Sequence, residues 1–280
     1  MVSMNQLSKE KRAAVVRCLV DGNSIRATVR ITGVAKNTVT KLLVDLGEAC
    51  VAFHDRTVRG LRCERIQCDE QWTFCGAKAK NVRPEREIEG WGDVWTWVAL
   101  DADTKLTVAW SVGNRDAETA EPFMLDVAGR LLNRVQLTTD GLKVYLTAVE
   151  NAFGPDVDFA QLVKLYGPAQ GDTPEARYSP PKCNGSKKQP QLGLPDRAHI
   201  STSYIERLNL TMRMSQRRFT RLTNAFSKKL YNLECAVALH FVHYNFVRVH
   251  QTLKTTPAVA AGVVDHGWTI DELVGLLDSN

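Results

Sequence analysis

Ile66-Gln67-Cys68-Asp69-Glu70-Gln71 is where the period of this 280-residue chain changes. Upstream, apolar residues recur at helical spacing. Here Ile66, Cys68 and Glu70 alternate with Gln67, Asp69 and Gln71, the period of two that marks a strand. Residues 95–100 (WTWVAL) and 106–112 (LTVAWSV) read as two further strands, joined by the turn sequence Asp101-Ala102-Asp103-Thr104. The pattern then predicts a helix over 119–132 and a short strand over 135–139 ending at Asp140-Gly141. A helix over 143–152 and a strand over 159–166 follow. Three strands followed by alternating helix and strand imply an α/β fold with a mixed sheet covered by helices. Residues 167–200 hold six prolines and read as a long insertion loop. Two helices are predicted after it, over about 203–221 and 226–247.

Residues 7–47 read as helical. Asp21-Gly22-Asn23 breaks a first helix, Ser24 is placed to cap a second, and Gly33 makes a turn before a third over 36–46. Residues 24–43, SIRATVRITGVAKNTVTKLL, fit a helix-turn-helix: Gly33 in the tight turn, and Val34, Val39 and Leu42 to hold the crossing. The exposed start of the third helix carries Lys36, Asn37, Thr38, Thr40 and Lys41, side chains suited to base edges and phosphates. Val29 departs from the smaller residue usual at its position. A plain three-helix bundle for protein contacts is the other reading, and Asn37 would serve as a helix cap as readily as a base reader.

Charge is uneven. Residues 1–60 carry 10 Lys/Arg against 5 Asp/Glu, and residues 201–260 carry 9 against 2. The stretch between them is slightly acidic, as are the last twenty residues. Two basic regions around an acidic centre suit a polyanion held at a metal site. No apolar run approaches the roughly 18 residues that span a bilayer. Lys9, Glu10, Lys11 and Arg12 interrupt the N-terminus where a signal peptide would be apolar, so a cytoplasmic, nucleoid-associated protein is expected. Seven cysteines without a C-x-x-C pair read as reduced thiols.

Three acidic residues stand at positions with chemical meaning. Asp69 lies in the first strand, Asp140 directly follows the fourth, and Glu206 lies in the helix after the long loop. This is the layout of RNase H-like nucleases and transposases. Phosphodiester cleavage needs an activated attacking oxygen and a stabilised leaving oxygen. Two divalent ions about 4 Å apart supply both, and magnesium prefers such hard oxygen ligands. Each acid also has a local reading: Asp140-Gly141 as a turn pair, Ser203 to Glu206 as a capping box, Asp69 as an exposed strand residue. Glu70, next to Asp69 on a strand, is expected on the opposite face and outside any site that Asp69 enters.

The motifs Asp69-Glu70-Gln71-Trp72, Gly76-Ala77-Lys78 and Leu137-Thr138-Thr139-Asp140-Gly141 occur together with the run 203–213, SYIERLNLTMR. Arg218-Phe219-Thr220-Arg221-Leu222-Thr223 and Tyr244-Asn245-Phe246 with Arg248, His250 and Leu253 follow. Over about residues 20–260 the chain resembles the DDE transposases of the insertion sequence 1 family. The resemblance implies Asp69, Asp140 and Glu206 as catalytic ligands of two Mg2+ (or Mn2+) ions, and Arg213 as a basic residue two turns past the glutamate. A helical wheel agrees: Ile205, Leu208, Met212 and Phe219 share one side. Glu206, Arg213, Arg217 and Thr220 share another, with Arg221 at its edge, so Arg213, Arg217 and Arg221 are candidate DNA contacts.

The implied organisation is a helix-turn-helix domain and linker over 1–60, an RNase H-like catalytic domain over 61–255 and a tail over 256–280. The implied activity is cleavage at the ends of a mobile element and joining of the exposed 3′-hydroxyls to target DNA. The implied partners are double-stranded DNA and further copies of the chain, as a homodimer or larger assembly. The rival readings are a transposase-derived, non-catalytic DNA-binding regulator, which need not keep all three acids, and a plain nuclease, which would not need the helix-turn-helix. Among weaker signals, Trp72 could stack on a base or pack in the core. Trp95 and Trp97 read as core. His250, Lys182, Lys187 and Lys188 are further possible phosphate contacts.

Overall fold

A computed structural model of the chain describes residues 7–87, 90–167, 183–220 and 223–278. Helix α1 (Lys9–Val20) starts where the Ser8 hydroxyl accepts the Lys11 N–H, and α2 (Ile25–Thr32) where Ser24 accepts that of Ala27. Gly33, at φ 70°, closes α2 in the left-handed conformation that glycine adopts without steric cost. Helix α3 then runs from Lys36–Thr57, so most of the expected linker is helical. The reason is that its apolar stripe does not stop at Leu46. Cys50 and Phe53 continue it at helical spacing and are buried.

Strand β1 (Arg65–Cys75) leads through a one-turn helix, α4 (Pro84–Glu87), to β2 (Gly92–Asp101) and β3 (Thr107–Gly113). Helix α5 (Ala117–Arg130), β4 (Val135–Thr139), α6 (Val144–Phe153) and β5 (Val157–Tyr166) follow. The six strands lie in the order β3-β2-β1-β4-β5-β6, with β6 formed by Cys183–Leu192. β1 is antiparallel to β2, β2 to β3, and β5 to β6, whereas β1 and β4, and β4 and β5, are parallel. The mixed sheet is RNase H-like, as expected. The sequence reading missed β6, which falls inside the predicted loop. Its residues are nearly all exposed, so no buried face imposes an alternating pattern. Backbone pairing with β5 holds it, and Pro190 is tolerated at this sheet edge.

One sheet face packs on α5 and α6, where the Trp97 ring centroid lies 6.0 Å from Phe123 and 5.4 Å from Tyr145. Trp97 is core, as read, but Trp95 is only half-buried. Trp72 is half-buried too, with the Lys78 ammonium over its ring. The other face carries α7 (Ser203–Ser215) and α8 (Leu230–Val242), with Val94, Val98 and Leu100 against Ile205, Leu208 and Phe241. Both helices are shorter than predicted. α7 ends because the Gly22 N–H caps the Ser215 carbonyl at 2.8 Å and Gln216 turns extended. Past α8 the chain makes a π-turn, His243–Val247, in which the Asn245 amide pairs with both backbone groups of Thr107 at 2.9 Å.

The expected C-terminal tail carries α9 (Pro257–Ala260) and α10 (Ile270–Gly275). Helix α10 lies on α1, where Arg12 bonds Asp278 at 2.9 Å. All seven cysteines are free, and Cys50, Cys63, Cys68, Cys75 and Cys235 are buried. No helix among the described residues is long and apolar enough to cross a membrane.

Two histidines, His54 and His240, are buried with the sheet and helices, and His243 is half-buried. His54 packs on Trp110, and burial holds its pKa down at about 3; burial likewise holds His240 at about 3 and His243 at about 4. The folded values lie below the unfolded one, so the native state resists protons that the unfolded chain accepts. Stability is therefore fully present above about pH 6.5 and is lost as pH falls toward the folded values, by up to about 1.4 kcal/mol per pH unit for each histidine. Asp69 and Glu70, whose folded pKa values are raised to about 7 and about 8, act in the opposite sense but equally in both proteins, so on going from pH 7 to pH 5 the melting temperature of His240→Leu is expected to change less unfavourably than that of wild type. An unchanged pH dependence in that variant would contradict the assignment.

Candidate functional site

The site follows from where β4 stops. β1 pairs with β4 only as far as Cys68↔Thr139, then continues with β2 as its one neighbouring strand among the described residues, until Cys75 bridges to Ser227. Asp69 is the first β1 residue past that end, and Asp140 is the first residue after β4, so the two carboxylates meet at a notch in the sheet. Asp140 keeps its turn role: one oxygen accepts the Leu142 N–H at 2.9 Å, while the other faces Arg115. The turn and site readings are compatible because each uses a different oxygen.

Gln67, Asp69 and Gln71 share the β1 face that meets α7. The Gln67 side-chain oxygen accepts the N–H groups of Tyr204 (3.0 Å) and Ile205 (3.1 Å), so a strand residue caps the helix that carries Glu206. Asp69 accepts Nδ2 of Asn209 at 2.8 Å and its neighbour's backbone N–H, from Glu70, at 2.9 Å. Gln71, with its amide oriented to satisfy both atoms, reaches Arg213 Nε at 3.2 Å. Arg213 thus packs toward β1. Gln67→Ala is expected to cost about 1–2 kcal/mol, the range for a lost helix cap. Urea unfolding would measure it, and a loss under about 0.5 kcal/mol would show that the cap is redundant.

Asp69, Asp140 and Glu206 line one cleft of about 550 Å³, with Arg115, Lys143 and Lys164. Glu206 is held there by Lys164 at 2.7 Å and by the Thr202 hydroxyl. The predicted Ser203 capping box is not formed: Thr202 is the N-cap residue and makes no side-chain cap bond. Carboxylate oxygens of Asp69, Glu70 and Asp140 lie within 4.8 Å of one another; Glu206 stands on the same cleft outside that group.

Glu70 corrects the sequence reading. It does face away from α7, toward α6, but the missing β4 neighbour leaves the notch open from both faces. Its carboxylate is buried beside the Tyr145 hydroxyl and bonds Arg115 at 3.1 Å, while Arg115 bonds Asp140 at 3.2 Å and stacks on Trp95. Burial, reinforced by the charge of Asp140, raises Asp69 to about 7 and Glu70 to about 8. Sequence reasoning missed Glu70, Arg115, Lys164, Asn209 and Gln67. Only the spacing of Asn209, three residues past Glu206, offered a signal.

The donor set suits divalent cations: hard carboxylate oxygens, crowded and partly buried, with like charge that a cation would relieve. Asp69, Asp140 and Glu206 could hold such ions, with Glu70 close by.

A second groove lies by α3. Lys36, Asn37, Thr40 and Lys41 line it, and Thr38 is exposed. Asn37 is not the cap: Ala35 holds that position. Arg217 also lines this groove. The wheel that aligned it with Glu206 assumed a continuous helix, and α7 ends two residues earlier. Arg221 and Lys182 lie outside the described residues. Lys187 and Lys188 sit on β6, Lys188 bonding the Arg197 carbonyl, and His250 pairs with Thr255 through its backbone.

No family model and no curated protein matches the chain. Among the solved structures with a distant likeness to the chain are two transposase complexes. A piggyBac transposase synaptic complex with hairpin DNA is 10% identical, covers 97% of this chain and 70% of that one, and has a TM-score of 0.39. The Mos1 strand transfer complex is 11% identical, covers 87% and 79%, and has a TM-score of 0.25. Scores this low say nothing about the site.

Proposed function

We propose that this chain is a DDE-type DNA transposase related to the insertion sequence 1 family, working on double-stranded DNA in the nucleoid. One observation carries the reading: Asp69 from β1, Asp140 from the end of β4 and Glu206 from α7 converge on one cleft of an RNase H-like sheet. These three would hold two Mg2+ or Mn2+ ions. Bound there, the ions would supply activation of the attacking oxygen and charge stabilisation of the leaving one. Gln67 and Asn209 keep Glu206 and Asp69 in place, while Arg115, Lys143 and Lys164 offset the negative charge of a phosphodiester in the cleft.

In the proposed reaction, water attacks phosphorus at the element end, the bond to the 3′-oxygen breaks, and that oxygen leaves as a hydroxyl. The freed hydroxyl then attacks a target phosphodiester, loses its proton to solvent and displaces the target's own 3′-oxygen. Lys36, Asn37, Thr38, Thr40 and Lys41 contact the element ends, which a homodimer or larger assembly holds together.

The test is a plasmid transposition assay with metal-dependent cleavage in parallel, on wild type, Asp69→Asn, Asp140→Asn and Glu206→Gln. All three variants should lose transposition and cleavage while binding DNA as wild type. Full transposition by any of them rejects that residue as a ligand.

A further inference from the structure

The groove beside α3 has two walls, and only one of them belongs to the N-terminal helices. It measures about 990 Å³. One wall presents Arg26, Lys36 and Lys41 from α2 and α3; the facing wall presents Arg217, Lys228 and Lys229 from the chain between α7 and α8. Arg218 adds a seventh cation, bonded to Ser227 at 2.7 Å. Among the described residues lining the groove the only carboxylate is Asp45, and it is engaged by Lys41 at 2.6 Å. Lys228 and Lys229 are exposed. So strong an excess of one charge sign, concentrated in a concave surface, fits a polyanion.

The walls are fixed to each other. Gly22 donates to Ser215 across the junction, Tyr231 bonds Glu48, and α3 meets α8 backbone to backbone at Gly47 and Cys235. An occupant therefore finds both walls already in place, with little ordering to offset.

We propose that this groove grips the phosphate backbone of duplex DNA, with Lys228 and Lys229 holding the same duplex that the start of α3 contacts. The two parts of the chain then bind DNA as one rigid surface, not as a reading head on a flexible tether. The inference rests on the proposed function for the nature of the ligand, but not on cleavage.

The experiment is equilibrium binding of a fluorescent duplex carrying an element end, and of an unrelated duplex, across a salt series. Lys228→Gln with Lys229→Gln should weaken both duplexes at least tenfold at physiological salt. It should also reduce the slope of log K against log salt by about 1.8, the share of two phosphate contacts. Both positions are exposed, and a matching melting temperature confirms that the variant folds. An unchanged slope overturns the proposal, as does a loss confined to one of the two duplexes. The slope change without any cleavage by wild type would leave the groove standing and remove the enzyme, whereas cleavage without the slope change would do the reverse.

Discussion

Asp69→Asn should abolish divalent-ion-dependent cleavage and, in metal-free buffer at pH 8, make the protein more heat-stable. The two effects share one cause. Asp69 is crowded by Asp140 and Glu206 and pushed up to about 7 by burial, against 3.8 for the free group. Its folded pKa lies above the unfolded one, so its favourable contribution is complete below about pH 4 and is lost as pH rises through 7. Above that, the native state carries a charge that the site resists. Removing it should stabilise the metal-free protein by about 1–3 kcal/mol, less than the ceiling of about 1.4 kcal/mol for each pH unit between the free and folded values. The Asn209 and Glu70 bonds to the carboxylate offset part of the strain. The introduced amide also has an acceptor ready: Asn209 Oδ1 is buried without a hydrogen-bond partner.

Divalent ions should reverse the order, because wild type gains stability by binding them and the variant does not. Cleavage should fall at least about a thousandfold, or about 4 kcal/mol of transition-state stabilisation. Melting curves at pH 8 with and without Mn2+, alongside a cleavage assay, measure both. A wild-type melting temperature indifferent to Mn2+, or a variant cleaving within tenfold of wild type, would defeat the metal assignment.

Gly47→Ala should destabilise the protein strongly, against the helix-propensity expectation. Within α3 the change alone favours alanine by about 1 kcal/mol. The added carbon, however, would lie 2.4 Å from Cys235 Cβ, 2.6 Å from its Cα and 2.8 Å from its carbonyl oxygen. Ordinary carbon contacts are about 3.5–4.0 Å, and these atoms cannot swing aside as the end of a flexible side chain would. α3 and α8 must separate by about 1 Å. Overpacking of this kind costs about 1–3 kcal/mol or more, so the melting temperature should drop by several degrees. The basic groove, whose walls these helices support, should lose DNA affinity in step. A variant that melts higher than wild type would show that the helices do not approach so closely.

What could be read from the sequence was local. Alternation placed β1, β2 and β3, the Asp-Gly pair marked the end of β4, and Ser24 and Gly33 bounded α2, because strand period and turn chemistry are written in neighbouring residues. Those signals were enough to nominate Asp69 and Asp140, and the spacing of motifs added Glu206. The cations around the acids are not legible that way. Arg115 and Lys164 come from a loop and a strand whose only link to the site is the order of strands in the sheet.

The sequence by itself determined five of the sheet's six strands, the starts of the first three helices and three candidate acids, since each depends on a period, a cap or a motif spanning a few residues. Tertiary structure alone decided that Glu70 joins the acids, because β4 is too short to close the notch. It alone ended α7 at Ser215, by a hydrogen bond from Gly22 nearly two hundred residues away. It alone set Arg217 opposite α3 and not beside Glu206. In each case the deciding contact joins elements distant in the chain, and no pattern of adjacent residues encodes such a distance.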